Sequence, residues 1–454
     1  MAALKKLPVV SPIRTLARIT RFTTNPISVL EEYLEDYGES FIMYMGGSQR
    51  SIITTNPDFA QYVLQKNHRN YKKSSIQTEH LGQFIGQGLL TSNGAYWLQQ
   101  RRLIQPGFHR NRLAGLVNLI QEVIDEYLED FDVIVKAGKP IDIYPSMMRL
   151  TFRIVVRALF SASLKEADLE RLSVIISEIQ EFVIRIIRQP FLRPIFRLQG
   201  QYRKHIRLMH EANEIILSII RERRASGKEQ DDLLQMLLDA RYEDTGKGMT
   251  DQQLIEEATI LTVAGHETTA NAMSWTWYLM SQHPEAVKKM RAEQNQILQN
   301  GPLAFENLRQ LTYTTQVIEE SMRIYPPAWI TDREAIEADE FEGIPIPKGT
   351  VVVPYIYGLH HSSQLWDQPA TFRPERFAPE ANKQHHSFRY LPFGAGPRMC
   401  IGNNFAIMEM QLILSSMLQR YDFKLAPNAQ IAARPLVTLR PKNGVPMLFT
   451  DRRT

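Results

Sequence analysis

The sequence predicts a mostly α-helical fold with a smaller β lobe, an α+β chain, and three observations carry the prediction. Apolar residues recur at helical spacing through most of the middle of the chain. One capped helical pattern runs unbroken from 250 to 283. Runs rich in β-formers are confined to the two ends.

Near the start, "SFIMYMGGSQRSIITT" (40–55) reads as a hairpin around Gly46-Gly47. From about 110 the pattern turns helical: Leu113, Leu116, Val117, Ile120, Ile124, Tyr127 and Phe131 form one apolar stripe. Further helical patterns follow at 166–185, 208–224, 230–241 and 285–299. The longest begins where Thr250 and Gln253 make a capping-box pattern and stops at His283-Pro284. At ~1.5 Å per residue it spans roughly 50 Å, so it must cross the core. Near its middle, "AGHETT" (264–269) sets polar residues where a core helix should be apolar. Strands return in "IPIPKGTVVVPYIY" (344–357) and around 422–450. The β lobe is therefore assembled from about 35–65, 340–360 and 422–450, with the helical body between. No composition shift marks a linker, and 1–454 reads as a single domain.

The composition, 44% hydrophobic and 22% charged, is that of an ordinary globular protein. A formal net charge of +4 lacks the basic footprint of a nucleic-acid binder. The opening "MAALKKLPVVSPIRTLARITRF" has no signal-peptide core and no twenty-residue apolar run, which points to a cytoplasmic protein with no transmembrane anchor. The stretch 182–207 mixes aromatics with many Arg. It reads either as an entry channel that dips to a membrane or as a solvated helix pair and loop.

Cys400, the only cysteine, excludes an internal disulfide and any Cys-only metal cluster. It sits in "FGAGPRMCIG" (393–402). Gly394, Gly396 and Gly402 let the backbone approach something flat and bulky, and Pro397 stiffens the bend. Ile401, Phe405, Met408 and Leu412 then recur at helical spacing, which puts the thiol at a helix N-terminus that favours a thiolate. With no second Cys for a zinc or iron–sulfur site, a haem bound through one thiolate is the natural candidate. Gly394-x-Gly396 does not extend to a dinucleotide loop, because the third glycine position is Met399. His266-Glu267 does not extend to H-E-x-x-H, because the last position is Ala270. His360-His361 and His385-His386 read as loop histidines lacking the neighbours of a metal site.

Phe393, Gly396, Cys400 and Gly402 match the F-x-x-G-x-x-x-C-x-G signature of the cytochrome P450 family. "EESMR" supplies its E-x-x-R as Glu320 and Arg323, "PERF" supplies Arg376, and "AGHETT" resembles its oxygen-activating motif. The resemblance runs from the region around 35 to about 450. It implies a P450 fold with the long helix over the haem, and haem b (iron protoporphyrin IX) held by Cys400 as metal ligand, with Phe393 and Gly402 on the cofactor loop. It assigns Glu267 and Thr268 as the catalytic acid–alcohol pair that delivers protons. Trp97 and Arg101, one helical turn apart in "GAYWLQQRR", join Arg333 and Arg398 as propionate partners, whereas Arg102 reads as surface. Glu320, Arg323 and Arg376 are assigned to scaffold.

By the same resemblance the substrate pocket takes Phe84, Leu261, Ala264, Ala328 and Val437. The implied activity is a haem-thiolate monooxygenase using O₂, a lipophilic small molecule, and an external ferredoxin or flavodoxin with its reductase. "WLQQRRLIQPGFH" and "DDLLQMLLDA" are similar to phrases of the fatty-acid-oxidising branches. The alternatives are a peroxygenase or isomerase on the same fold, or a non-catalytic haem sensor or carrier.

Overall fold

A computed structural model describes residues 6–45, 49–161, 166–189, 192–298 and 303–452. The Gly46-Gly47 turn, residues 190–191 of the basic stretch and residue 299 of the 285–299 pattern lie outside the described residues. Helices dominate and sheets are the smaller part, as predicted. The chain forms two compact units, each drawn from three separate segments.

The first unit comprises residues up to 74, 319–400 and 432–442. Its five-stranded sheet runs in the order Ser40–Met45, Gln49–Thr54, Val351–Pro354, Arg333–Ala335, Tyr71–Lys72. The second and third strands pair in parallel although some 300 residues separate them in sequence. Both faces are buried, by period-2 alternation. Phe41, Ile53 and Val353 pack one face with Tyr33 and Trp329, while Ile42, Ile52 and Val352 pack the other with Phe59. A hairpin of Ala433–Pro435 and Leu439–Pro441 is fastened by the Leu439 N–H to Pro327 O and by Trp329 Nε1 to Leu436 O.

The second unit comprises residues 75–318, 401–431 and 443–454. The predicted stripe lies on helix Arg110–Lys136, and all seven of its residues are buried. The long helix is Asp251–Gln282, 32 residues, ending before Pro284. Its capping box is reciprocal: the Gln253 N–H donates to Thr250 Oγ1, and the Thr250 N–H to Gln253 Oε1. Helix Ile143–Phe160 packs against it, and its buried Ile143, Met147, Leu150 and Ile154, at i, i+4, i+7 and i+11, form an apolar stripe that sequence reasoning passed over. Most of 422–450 belongs here rather than with the β lobe. Tyr421–Leu425 and Pro446–Asp451 pair with each other, and Pro446–Met447 with Ile141–Asp142. β-propensity marked these strands without naming their partner, and only 433–441 joined the first unit.

Candidate functional site

In the first unit the Cys400 loop is shaped by two glycines with positive φ, Gly394 and Gly396 at 67° each. A Cβ on Gly396 would stand 2.0 Å from Leu64 O, so the close approach glycine permits there is to the chain's own backbone. Gly402 has ordinary φ, and a Cβ there would meet Phe108 only at 3.7 Å. Cys400 is exposed, and its N–H donates to Phe393 O at 2.9 Å. The thiol does not sit at the helix N-terminus. The helix is Asn403–Arg420 with Gly402 as N-cap, two residues beyond Cys400. Ile401 extends the apolar pattern into a turn, which makes the helix look longer than it is. The macrodipole fades within a turn, so its help to the thiolate is reduced.

Two arginines of this unit act on each other. Arg333 is buried, with Nη1 donating to Asp332 O and, at 3.4 Å, to Thr331 Oγ1. Burial lowers its pKa, against the opposing pull of Asp332. Arg398 is pushed down to about 10 by burial first and by Arg333 second. Of the predicted pocket residues here, Ala328 is half-buried and Val437 is 48% exposed at the tip of the 433–441 hairpin.

Glu320, Arg323 and Arg376 form a buried network. Both carboxylate oxygens of Glu320 accept from Arg323 at 2.7 and 2.8 Å, and one also accepts from Arg376 at 3.1 Å. His360 and His361 are not loop residues. They end helix Ile356–His361, and His360 is fully buried, its Nε2 accepting the Leu391 N–H. Two adjacent histidines with no periodic apolar context gave no sign of burial. His386 pairs with Asp58. Among the described residues no group of His, Cys, Asp or Glu is arranged to hold a metal ion.

In the second unit the centre of the long helix is buried except at Val263 and along one stripe. Leu261, Ala264, Gly265 and Thr268, at i, i+3, i+4 and i+7, are half-buried, and Glu267 and Thr269 beside them are buried. Thr268 Oγ1 donates to Ala264 O at 2.8 Å, and Thr269 Oγ1 to Gly265 O. Both hydroxyls thus bond back to the helix, which leaves the Thr268 oxygen its lone pairs as acceptors. Gly265 lets helix Ile143–Phe160 come close, because a Cβ there would lie 3.0 Å from Val155 Cγ2. Trp97 is buried and Arg101 half-buried on helix Gly94–Ile104, with Arg101 Nε donating to Gln105 Oε1. Arg102 is exposed at the following position, as predicted. Phe84 is buried in an aromatic cluster, edge-on to Phe182 and tilted against Tyr202. A cleft of about 620 Å³ lined by Met280, Arg291 and Arg452 contains none of the predicted site residues.

Sequence reasoning passed over Glu409. It is fully buried on helix Asn403–Arg420, and burial pushes its carboxyl well above the usual range, with the Thr269 hydroxyl acting in the opposite sense. A lone acid in the apolar run "FAIMEMQLIL" was the available signal.

The donor set suits an iron porphyrin. A single exposed thiol stands in a glycine-shaped loop, and two guanidiniums of the same unit, Arg333 buried and Arg398 half-buried, are donors of the kind that propionate carboxylates accept.

Comparison with known proteins agrees. The profile of the cytochrome P450 family matches residues 5–445. A Streptomyces melanosporofaciens protein named cyclooctat-9-en-7-ol 5-monooxygenase is 31% identical over 386 residues, 85% of this chain and 83% of its own. Cytochrome P450 4A24 of Sus scrofa is 30% identical, covering 91% of this chain and 84% of its own. The crystal structure of the cytochrome P450DA heme domain covers 99% of both chains with a TM-score of 0.87, and at 21% identity it supports the fold. Members of this family carry a haem with a cysteine thiolate as axial ligand, and this chain has one cysteine to offer. With its motifs, its fold and these relatives in agreement, the chain belongs to the cytochrome P450 family and is a monooxygenase enzyme.

Proposed function

We propose that the protein hydroxylates fatty acids or similar lipophilic molecules in the cytoplasm, with two electrons supplied by a separate ferredoxin or flavodoxin and its reductase. The observation that carries this reading is the half-buried stripe of the long helix. Leu261, Ala264 and Gly265 present hydrocarbon, and Thr268 adds one hydroxyl beside the buried Glu267. A surface of that kind orders an apolar chain and leaves a single polar point for proton chemistry. The phrases similar to the fatty-acid-oxidising branches support the substrate class.

Bound haem supplies, from dioxygen and two electrons, the power to place one oxygen atom in a C–H bond while the other leaves as water. Cys400 would hold the iron as thiolate on the loop carrying Phe393 and Gly402. By the family resemblance, Arg333, Arg398, Trp97 and Arg101 are the residues that would hold the propionates. The Thr268 proton rests on Ala264 O, so its oxygen accepts from a proton donor and orients it. Glu267 passes protons from its buried position towards that hydroxyl. Ala328, Val437 and Phe84 complete the pocket in this reading.

The test is a substrate panel of fatty acids of graded length, with cyclooctat-9-en-7-ol beside them, scored by the low-to-high-spin shift of the haem. A shift that grows with fatty-acid chain length supports the substrate class, and no shift with any fatty acid rejects it. Thr268→Ala should keep haem and substrate binding but divert most electrons to hydrogen peroxide. Unchanged coupling removes the proton role. Cys400→Ser should abolish the red-shifted ferrous–CO band, and its survival would refute the ligand. Product formed at full rate from hydrogen peroxide alone would favour the peroxygenase alternative.

A further inference from the structure

The cleft of about 620 Å³ in the second unit holds none of the residues assigned above to haem, oxygen or substrate. Its walls come from separate parts of that unit. The last turn of the long helix supplies Met280, and helix Pro284–Leu298 supplies Val287, Lys288 and Arg291. Strand Tyr421–Leu425 supplies Asp422 and Phe423, and Arg452 follows the partner strand Pro446–Asp451. The buried part of the lining is apolar. Met280 is 1% exposed and Val287 6%, while Phe423 stands edge-on to Trp277 with ring centroids 4.8 Å apart.

The charged part of the lining is lopsided. Lys288, Arg291 and Arg452 stand against Asp422, the one acid among its described residues. Lys288 meets Glu285, outside the lining, only at 4.0 Å and with both side chains exposed, a pairing worth little in water. Arg291 and Arg452 are drawn to the same two oxygens. Arg291 Nη1 lies 2.8 Å from Asp422 Oδ1, and Arg452 Nε lies 3.5 Å from it. Arg291 Nε and Arg452 Nη1 each donate to Leu418 O at 3.3 Å. Arg291 Nη2 also donates to Tyr421 O at 2.7 Å. Two guanidiniums thus converge on one carboxylate oxygen and one carbonyl at the edge of an apolar hollow. Burial lowers the pKa of Arg291 and Arg452 acts in the same direction, against the pull of Asp422.

Three cations and one carboxylate leave the lining two positive charges in excess. The volume falls within the ~300–1,000 Å³ of small-molecule sites, and a concave hollow with an apolar wall and a few convergent polar groups is their usual form. Guanidiniums side by side suit a carboxylate, which accepts from both. We propose that this cleft binds an organic dianion, with one carboxylate on Arg291 and Arg452, the second towards Lys288, and an apolar body over Met280, Val287 and Phe423. The site is separate from the oxidation chemistry and does not depend on the identity of the substrate.

The probe for the test is naphthalene-2,6-dicarboxylate, titrated calorimetrically into the haem-loaded full chain at low ionic strength. It should bind once per chain with a Kd of about 10–100 μM, and 2-naphthoate, which has a single carboxylate, should bind about ten-fold more weakly. Arg452 is exposed, so Arg452→Gln should fold normally and weaken the dicarboxylate about ten-fold. Asp422 is also exposed, and Asp422→Asn should tighten binding by about ten-fold, because it frees both guanidiniums and removes a repelling charge. The spin state of the haem should stay unchanged throughout. No binding below about 1 mM, equal affinity in wild type and Arg452→Gln, or looser binding by Asp422→Asn overturns the proposal. A spin shift on binding also overturns it, because the probe would then occupy the substrate pocket.

Discussion

Two arginine clusters of the first unit use the same side chain and differ in what meets its charge. Around Glu320 the acceptors are close to complete. Arg323 reaches both carboxylate oxygens, His360 O and Thr371 O, and Arg376 reaches Glu320, Gln368 O and Thr371 O. Arg389, pushed down to about 10 by burial and the two other arginines, lies 3.9 Å over Trp366 and donates to Leu365 O. Arg333 and Arg398 are held differently. Arg333 bonds to its own chain neighbours, and the charge acting on Arg398 is another cation. The first cluster closes on itself around one carboxylate, whereas the second pair are the arginines that the proposed function assigns to the propionates.

Removing the counter-charge of the closed cluster should do the most damage. Glu320→Gln leaves Arg323, which is fully buried, and Arg376 facing an amide whose nitrogen cannot accept. Breaking a buried ion pair from one side costs about 3–5 kcal/mol, against total stabilities of about 5–15. The variant should unfold at far lower denaturant, measured by circular dichroism on haem-free protein. A shift in midpoint worth under about 1 kcal/mol would mean that the network is not closed.

That contrast also separates what was legible in the residues from what was not. E-x-x-R and PERF named Glu320, Arg323 and Arg376, and the loop signature named Cys400, because those patterns are local. The capping box at Thr250 and the Pro284 stop bounded the long helix, since both act within one turn of a helix end. Non-local facts were hidden. Helix Ile143–Phe160 was missed for another reason: its stripe of Ile143, Met147, Leu150 and Ile154 was there to be read. The pairing of Tyr421–Leu425 with Pro446–Asp451, away from the β lobe, depends on partners and not on propensity. The burial of His360 and Glu409 is set by neighbours distant in sequence.

A second, smaller break acts through pH. His361 packs against Tyr357 with ring centroids 3.9 Å apart, and its Nδ1 lies 2.9 Å from Tyr357 O. Burial holds its pKa down to about 4, with Arg323 acting in the same direction. Its folded value lies below the ordinary 6.5, so its contribution is complete above pH 6.5 and is lost as pH falls through about 4. Over that window the protein should lose at most about 3 kcal/mol through this residue. His361→Gln should be less stable than wild type at pH 7, with the gap closing towards pH 4. A gap independent of pH would show that burial does not hold the histidine neutral.

The smallest effect on folding, and the sharpest distinction, belongs to Arg398. Burial, and then Arg333, lower its folded value below the ordinary arginine range, to about 10. A lowered folded value means the fold disfavours the charged form, so at neutral pH the half-buried cation is a cost. Arg398→Met should therefore leave haem-free protein as stable as wild type or slightly more so. The same substitution removes a charge-assisted bond worth about 1.5 kcal/mol or more to an incoming anion. Haem transfer to an acceptor protein should then run about ten-fold faster. If Arg398→Met destabilised haem-free protein as much as Glu320→Gln, both clusters would be scaffold and the distinction between them would fall. If haem retention alone suffered, the repulsion between Arg333 and Arg398 is what the cofactor relieves.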